Sequence, residues 1–340
     1  MRKIRVEDAV GQTLCHDLTA IMEGGFKGVK FHRGHVVREE DIPELLNIGK
    51  GHIFVWEPEA DEVHEDDAAI AVSEAMCGEN LTCSDPHEGK IDVRAAVDGL
   101  FVLDSAALKK INMVGDYTLV CRANHTPVTA GEKVCGARIV PLVTKRETVE
   151  KAVAIAKEAA PLMQVLPYKP LKCAVIITGS EVYYGRIKDA FEPIMRKKVA
   201  DLGGEMLGVE KCPDEMERIL SAIEKFKAQG AELILLTGGM SVDPDDLTPG
   251  AIKRTGAEIV CRGVPMQPGN MLTIAYLDGT VLMGVPGASM HTPATSMDFF
   301  LPRIFAGLKI RPEDIAELGE GGLCMNCKVC LFPRCGFGRR

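Results

Sequence analysis

The spacing of apolar positions changes character along the chain and divides it into four stretches. In the first, Ile42, Leu45, Leu46 and Ile48 recur at helical spacing and Gly49 follows as a stop. This helix lies between a strand with a turn at 31–37 and a second strand at 52–56. The acidic run at 57–67 breaks the pattern and reads as a solvated connection, which predicts a small α+β module over residues 1–60. The second stretch opens with a helix at 68–76. Short β-like runs follow at 100–103, 117–121 and 134–140, separated by Gly, Asn and Pro. A helix at 147–160 then leads to Pro161, Pro167 and Pro170, so residues 61–168 are expected to form a β-rich, barrel-like module with a linker helix.

From residue 172 the texture alternates. The continuous apolar run 173–177 ends in Thr178-Gly179-Ser180-Glu181. Helical patterns follow at 189–202 and 214–229, and the buried-strand run 233–236 ends in Thr237-Gly238-Gly239. Strand-like runs recur at 272–276 and 281–283. Strand, glycine loop and helix in this order predict an α/β fold over 169–310, a doubly wound and mostly parallel sheet. Right-handed crossovers place the loops after the strands on one edge, where ligands of such folds bind. Residues 311–340 form a cysteine-rich tail.

Composition narrows the classes. The chain has 340 residues, 46% hydrophobic and 26% charged, enough for two or three cores. Its net charge of −8 excludes a general nucleic-acid or anionic-membrane binder, since phosphates need a basic face. No stretch reaches the roughly 20 apolar residues of a membrane span. The first residues turn acidic before a signal-peptide core can form, so a cytoplasmic location is expected.

The carboxyl ends of the predicted strands carry the candidate chemistry. Glycines there let backbone amides approach an anion, and Thr178, Ser180, Thr237 and Ser241 add hydroxyls. The carboxylates Glu181, Asp243 and Asp246 suit a divalent cation or the amino groups of a purine or pterin ring. Two further loops are dense in Pro and Gly: Val264-Pro265-Met266-Gln267-Pro268-Gly269-Asn270 and Gly284-Val285-Pro286-Gly287-Ala288-Ser289. His291 follows the second at a position from which it can face a ligand.

Four of the 12 cysteines, Cys324, Cys327, Cys330 and Cys335, fall within the tail. In a reducing compartment this reads as a metal site, Cys₄ zinc or an iron–sulfur cluster, and a tail without its own core is expected to fold only around the metal. Cys77 and Cys83, six apart, are spaced too loosely to read as a ligand pair. Cys121 and Cys135 read as small buried hydrophobes on strands.

Taken together, Thr178-Gly179-Ser180-Glu181, Thr237-Gly238-Gly239-Met240-Ser241, Gln267-Pro268-Gly269 and Val285-Pro286-Gly287 resemble, in order and spacing, the molybdopterin-binding domain of molybdenum-cofactor biosynthesis. The likeness covers about residues 170–308 and is nearest to the molybdopterin molybdotransferases. It includes Gly185-x-Ile187-x-Asp189 and Pro213-Asp214. The resemblance implies that Glu181, Asp189, Asp214 and Asp246 are the acidic residues that hold Mg²⁺ and position molybdate. It also implies that Thr178, Gly179, Ser180, Thr237, Gly238, Gly239, Ser241, Asp243, Pro268, Gly269, Pro286 and Gly287 shape the pterin and phosphate pocket. The implied reaction inserts molybdate into adenylylated molybdopterin with release of AMP, and the implied assembly is a homodimer. Gln267 and Asn270 stand where the family's transferases carry lysines, and Phe191 stands where they carry an Asn. Two alternatives share the scaffold: a carrier delivering finished cofactor to an apo-molybdoenzyme, and a nucleotide-diphosphate hydrolase.

Overall fold

The computed structural model describes residues 1–21, 27–56, 59–241, 243 and 246–338. The chain divides into two compact units, one of Met1–Val97, Phe101–Arg122 and Ala130–Val165, the other of Asp98–Leu100, Ala123–Thr129 and Leu166–Arg340. Among the described residues no helix is long and apolar enough to cross a membrane.

In the first unit the strand Arg2–Arg5 pairs antiparallel with His52–Val55. Val6, Leu14, Phe31, Leu45 and Ile53 close a small core around them. The helix Ile42–Asn47 ends before Gly49, whose φ of +79° breaks it off. The strand expected over 31–37 instead occupies Lys27–Phe31. Beyond Phe31 the left-handed Gly34 turns the chain, and its amide is held by the Leu14 carbonyl at 2.9 Å.

The helix Glu65–Met76 packs on a four-stranded sheet ordered Leu81–Cys83, Lys90–Ala95, Lys133–Ile139, Tyr117–Cys121. Its neighbours in the sheet run antiparallel. The buried Tyr117 hydroxyl donates to the Ala68 carbonyl at 3.0 Å, fastening sheet to helix. This sheet is open and covered by helices; it does not close into a barrel.

The second unit is built on a six-stranded sheet. Its strands are β1 (Lys172–Thr178), β2 (Glu205–Cys212), β3 (Leu233–Thr237), β4 (Glu258–Arg262), β5 (Thr273–Leu277) and β6 (Thr280–Val285). They lie in the order β2-β1-β3-β6-β5-β4. The pairs β1/β2, β1/β3 and β3/β6 are parallel, and β5 and β4 extend the sheet antiparallel.

The uninterrupted apolar runs have a physical cause: both faces of the sheet are covered. Val175, Ile177, Leu233 and Leu235 enter one core with the helices α2 (Phe191–Asp201) and α5 (Ser296–Phe305). Ala174, Ile176, Ile234 and Leu236 enter the opposite core with α3 (Met216–Ala228) and α4 (Thr248–Arg254). Each fully buried Ile or Leu contributes roughly 1.5–3 kcal/mol. The result is a doubly wound, mostly parallel α/β domain.

Candidate functional site at the carboxyl edge of the sheet

Because β1, β2, β3 and β6 are parallel, the loops that follow them share one edge. β5 runs antiparallel to β6, so the loop preceding β5 reaches the same edge.

After β1 the chain turns at Gly179 (φ +139°) into a short helix, Ser180–Tyr183. The Ser180 amide donates to Asp214 Oδ2 at 2.7 Å, and the Asp214 amide donates back to Ser180 Oγ at 3.1 Å. Asp214 follows β2, so this exchange joins two neighbouring strand ends. The Glu181 carboxylate folds over Gly179, where an added Cβ would sit 2.9 Å from its Oε1. Asp189 is engaged elsewhere. Its carboxylate accepts the Phe191 and Glu192 amides at 2.9 and 3.0 Å, which caps the start of α2.

After β3, Gly238 and Gly239 both hold positive φ, +84° and +50°. Thr178 Oγ1 donates to the Thr237 carbonyl at 3.2 Å and lies 3.1 Å from Thr248 Oγ1, which donates to the Gly238 carbonyl at 2.9 Å. A buried hydroxyl relay therefore fixes the glycine turn to β1 and α4. The Thr237 hydroxyl is buried with no hydrogen-bond partner among the described residues. Further on, the Asp243 amide donates to Asp246 Oδ2 and the Asp246 amide to the Asp243 carbonyl, both at 3.0 Å. Val242, Pro244 and Asp245 of this loop lie outside the described residues.

Gly269, at φ +102°, packs against α5: Ser296 Oγ donates to its carbonyl at 2.5 Å. Gly287 opens a short 3₁₀ turn, Gly287–Met290, after Pro286.

Gly238, Gly239, Ser241, Asp246 and Gly287 line one cavity of about 350 Å³, closed on its apolar side by Phe191, Met240, Met271 and Met290. The remaining residues singled out from the sequence, Thr178, Gly179, Ser180, Glu181, Asp189, Thr237, Asp214, Asp243, Pro268, Gly269 and Pro286, do not line it. Thr178 and the Thr237 carbonyl hold the glycine turn that lines it through the buried relay. His291 lies on a separate cavity of about 820 Å³, beside Lys197, Lys198 and Asp298. The apolar wall went unread in the sequence. Phe191 and Met290 sit next to the motifs, but nothing in their spacing marks them as lining residues.

The cysteine tail packs onto the α/β domain. Phe337 is buried in the α/β core, and Phe332, Cys324 and Cys335 pack against it. The Cys324 amide donates to the Gln267 carbonyl and the Gln267 amide to the Gly322 carbonyl, both at 2.8 Å, which ties the tail to the Pro268–Gly269 loop. Its four cysteines line a common cavity of about 570 Å³. Among the described residues, no three His, Cys, Asp or Glu side chains are gathered on one metal-ion position. The tail thus has a buried aromatic anchor, Phe337, which its cysteine spacing does not announce.

Residues 174–306 match the family described as "Probable molybdopterin binding domain", and residues 3–57 match one described as a domain of unknown function. A molybdopterin molybdenumtransferase of Synechococcus elongatus is 27% identical over 177 residues, 49% of this chain and 44% of the relative. One from Staphylococcus aureus is 30% identical over 131 residues, 36% of this chain and 31% of the relative. The match thus spans less than half the length of these curated relatives. Among solved structures, the molybdopterin biosynthesis enzyme MoaB of Thermus thermophilus aligns at TM-score 0.33 and 20% identity, over 39% of this chain and 91% of that one. The tungsten cofactor synthesizing protein MoaB of Pyrococcus furiosus aligns at 0.34 and 18%, over 40% and 94%. The match to the molybdopterin-binding family lies within the C-terminal α/β domain.

Proposed function

We propose that this protein acts in molybdenum-cofactor biosynthesis, binding adenylylated molybdopterin at the carboxyl edge of its sheet and inserting molybdate with release of AMP. The observation that carries this reading is the 350 Å³ cavity, which is lined by glycines from two strand ends, by Ser241 and Asp246, and by the apolar Phe191, Met271 and Met290. Its size suits a ring the size of a pterin. The wall from Phe191 and Met290 takes the ring face. The amides of Gly238, Gly239 and Gly287 and the Ser241 hydroxyl take phosphate oxygens.

Mg²⁺ is held through one or two carboxylates plus substrate phosphates rather than by a full protein cage. The chain fits that requirement with Asp246, and Glu181 is its partner in this reading. The ion would neutralise charge developing on the phosphoanhydride. Asp214 positions Glu181 by holding the Ser180 amide. The homodimer belongs to the same proposal. So does zinc or an iron–sulfur cluster among the four tail thiols.

The test is AMP release from adenylylated molybdopterin with Mg²⁺ present and molybdate varied. Asp246→Ala should abolish release while changing affinity for the adduct less than about tenfold, ~1.4 kcal/mol. Release by Asp246→Ala at the wild-type rate removes Asp246 from the chemistry. A carrier reading is favoured by Gln267 and Asn270, which lack the charge of the transferases' lysines. It predicts tight binding of finished cofactor and no release of AMP.

A further inference from the structure

The first unit contains a second concentration of thiols, unrelated to the tail. Cys77 Sγ and Cys83 Sγ lie 3.6 Å apart, and neither is in a disulfide. That separation is far beyond the ~2.05 Å of a disulfide. It is close to the ~3.8 Å that separates two thiolates on one tetrahedral zinc with Zn–S bonds of about 2.3 Å.

The strand register brings two more thiols to the same place. Cys83 stands opposite Val93, Val93 opposite Cys135, and Cys135 opposite Cys121. Residues directly opposite in an antiparallel ladder share a face. Cys83, Cys135 and Cys121 therefore stand in one transverse row on the face where Val93 and Cys135 are buried. Cys77 follows the last turn of the helix Glu65–Met76, which packs on that sheet.

The thiols also lie near enough to perturb one another. The hydrogen bond from Cys77 draws the Cys83 thiol down to about 7. The contact with Cys83 and burial push Cys77 up, with Cys121 adding to the shift. Contact with Cys121 and burial push Cys135 up, and it feels Cys77 and Cys83 as well.

We propose that Cys77, Cys83, Cys121 and Cys135 form a closed four-thiolate site for one zinc ion, which clamps the end of the helix Glu65–Met76 to the sheet. As the unit stands, the thiols form two pairs that do not yet converge on one point. In this proposal the Cys121 and Cys135 side chains turn toward the Cys77–Cys83 pair when zinc binds. Binding is not a redox step: each sulfur exchanges its proton for a bond to the metal, and the protons pass to solvent. A site with four protein ligands and no open position is structural.

The experiment measures zinc per chain in the full-length protein purified anaerobically, beside Cys83→Ser, Cys121→Ser and the tail variant Cys327→Ser. The first two should each lose one equivalent that Cys327→Ser does not lose through this site. Because the variants could unfold, the unmodified protein gives a second readout. Cobalt should replace zinc with the absorption of a tetrahedral thiolate centre. Alkylation mapping should show Cys77, Cys83, Cys121 and Cys135 protected until a chelator is added. Zinc content unchanged by both Cys83→Ser and Cys121→Ser overturns the proposal. Free alkylation of the four cysteines without chelator, or recovery of a Cys77–Cys83 disulfide with no metal, does so too.

Discussion

The Ser180 amide and the Asp214 carboxylate meet at 2.7 Å, and the reverse bond from the Asp214 amide to the Ser180 hydroxyl closes the exchange. Two loops from adjacent parallel strands thus hold each other, and the short helix bearing Glu181 starts from that joint. A carboxylate that accepts a backbone amide is worth roughly 1.5–3 kcal/mol, and a stranded partner costs a similar amount. Asp214→Ala should lower the unfolding free energy by about 2 kcal/mol in urea titration. It should also weaken binding of adenylylated molybdopterin. Asp214→Asn keeps an acceptor oxygen and should recover most of the stability. Equal losses in both variants would show that charge, not the amide contact, is what counts at this position.

Two glycines of the same cavity should respond oppositely to alanine. At Gly238 the φ is +84° and a Cβ would lie 2.0 Å from the Thr178 carbonyl oxygen, so β1 and the turn would have to separate. Gly238→Ala should cost more than about 2 kcal/mol and destroy binding along with stability. At Gly287 a Cβ meets nothing within 4 Å. Gly287→Ala should keep stability within about 0.5 kcal/mol yet reduce ligand affinity, because the methyl enters the cavity. Thermal unfolding together with ligand titration on both variants checks the contrast. Unchanged affinity in Gly287→Ala would remove that loop from the binding surface.

The tail is held by Phe337, whose neighbour Gly338 has room only for hydrogen against the Phe299 ring. Truncating a buried Phe costs about 3–5 kcal/mol when its cavity stays open, and less where a terminal segment can simply leave. Phe337→Ala should therefore cost about 2 kcal/mol and speed tryptic cleavage after Lys328 and Arg334, both already exposed, by freeing the segment that carries them. A cleavage rate equal to that of the unchanged protein would mean that other contacts hold the tail.

What could be read from the sequence follows burial. β1 and β3 are covered on both faces and announce themselves as unbroken apolar runs. The strands that escaped notice, β2 and β4, are the two edges of the same sheet. Their residues are largely half-buried or exposed, so Glu205, Glu210 and Lys211 interrupt one and Glu258 and Arg262 the other. The glycine loops were legible because a tight strand-end turn demands Gly at positive φ. The apolar wall of Phe191, Met271 and Met290, the return of Phe337 to the core and the approach of Cys77 to Cys83 are tertiary contacts. No local period encodes them.

Glu65 should set the pH dependence of the first unit. It opens the helix Glu65–Met76, is 4% exposed and forms no ion pair among the described residues, while Gly89 packs against its carboxylate. Burial, reinforced by the charge of Asp66, raises its pKa from 4.5 to about 7. Between these values the folded protein keeps a proton that the unfolded chain has released. The contribution is therefore fully present below about 4.5 and is lost as pH rises through about 7. The span corresponds to at most about 3 kcal/mol, and relaxation around the ionised carboxylate will reduce it. Unfolding measured by a probe in the first unit should show the unchanged protein losing stability relative to Glu65→Gln between pH 5 and pH 8. The amide substitution should be the more stable form at the upper end. A constant difference between the two across that range would place the Glu65 ionisation outside it, and the charges of Arg138 and Arg33 would then offset its burial more fully than proposed.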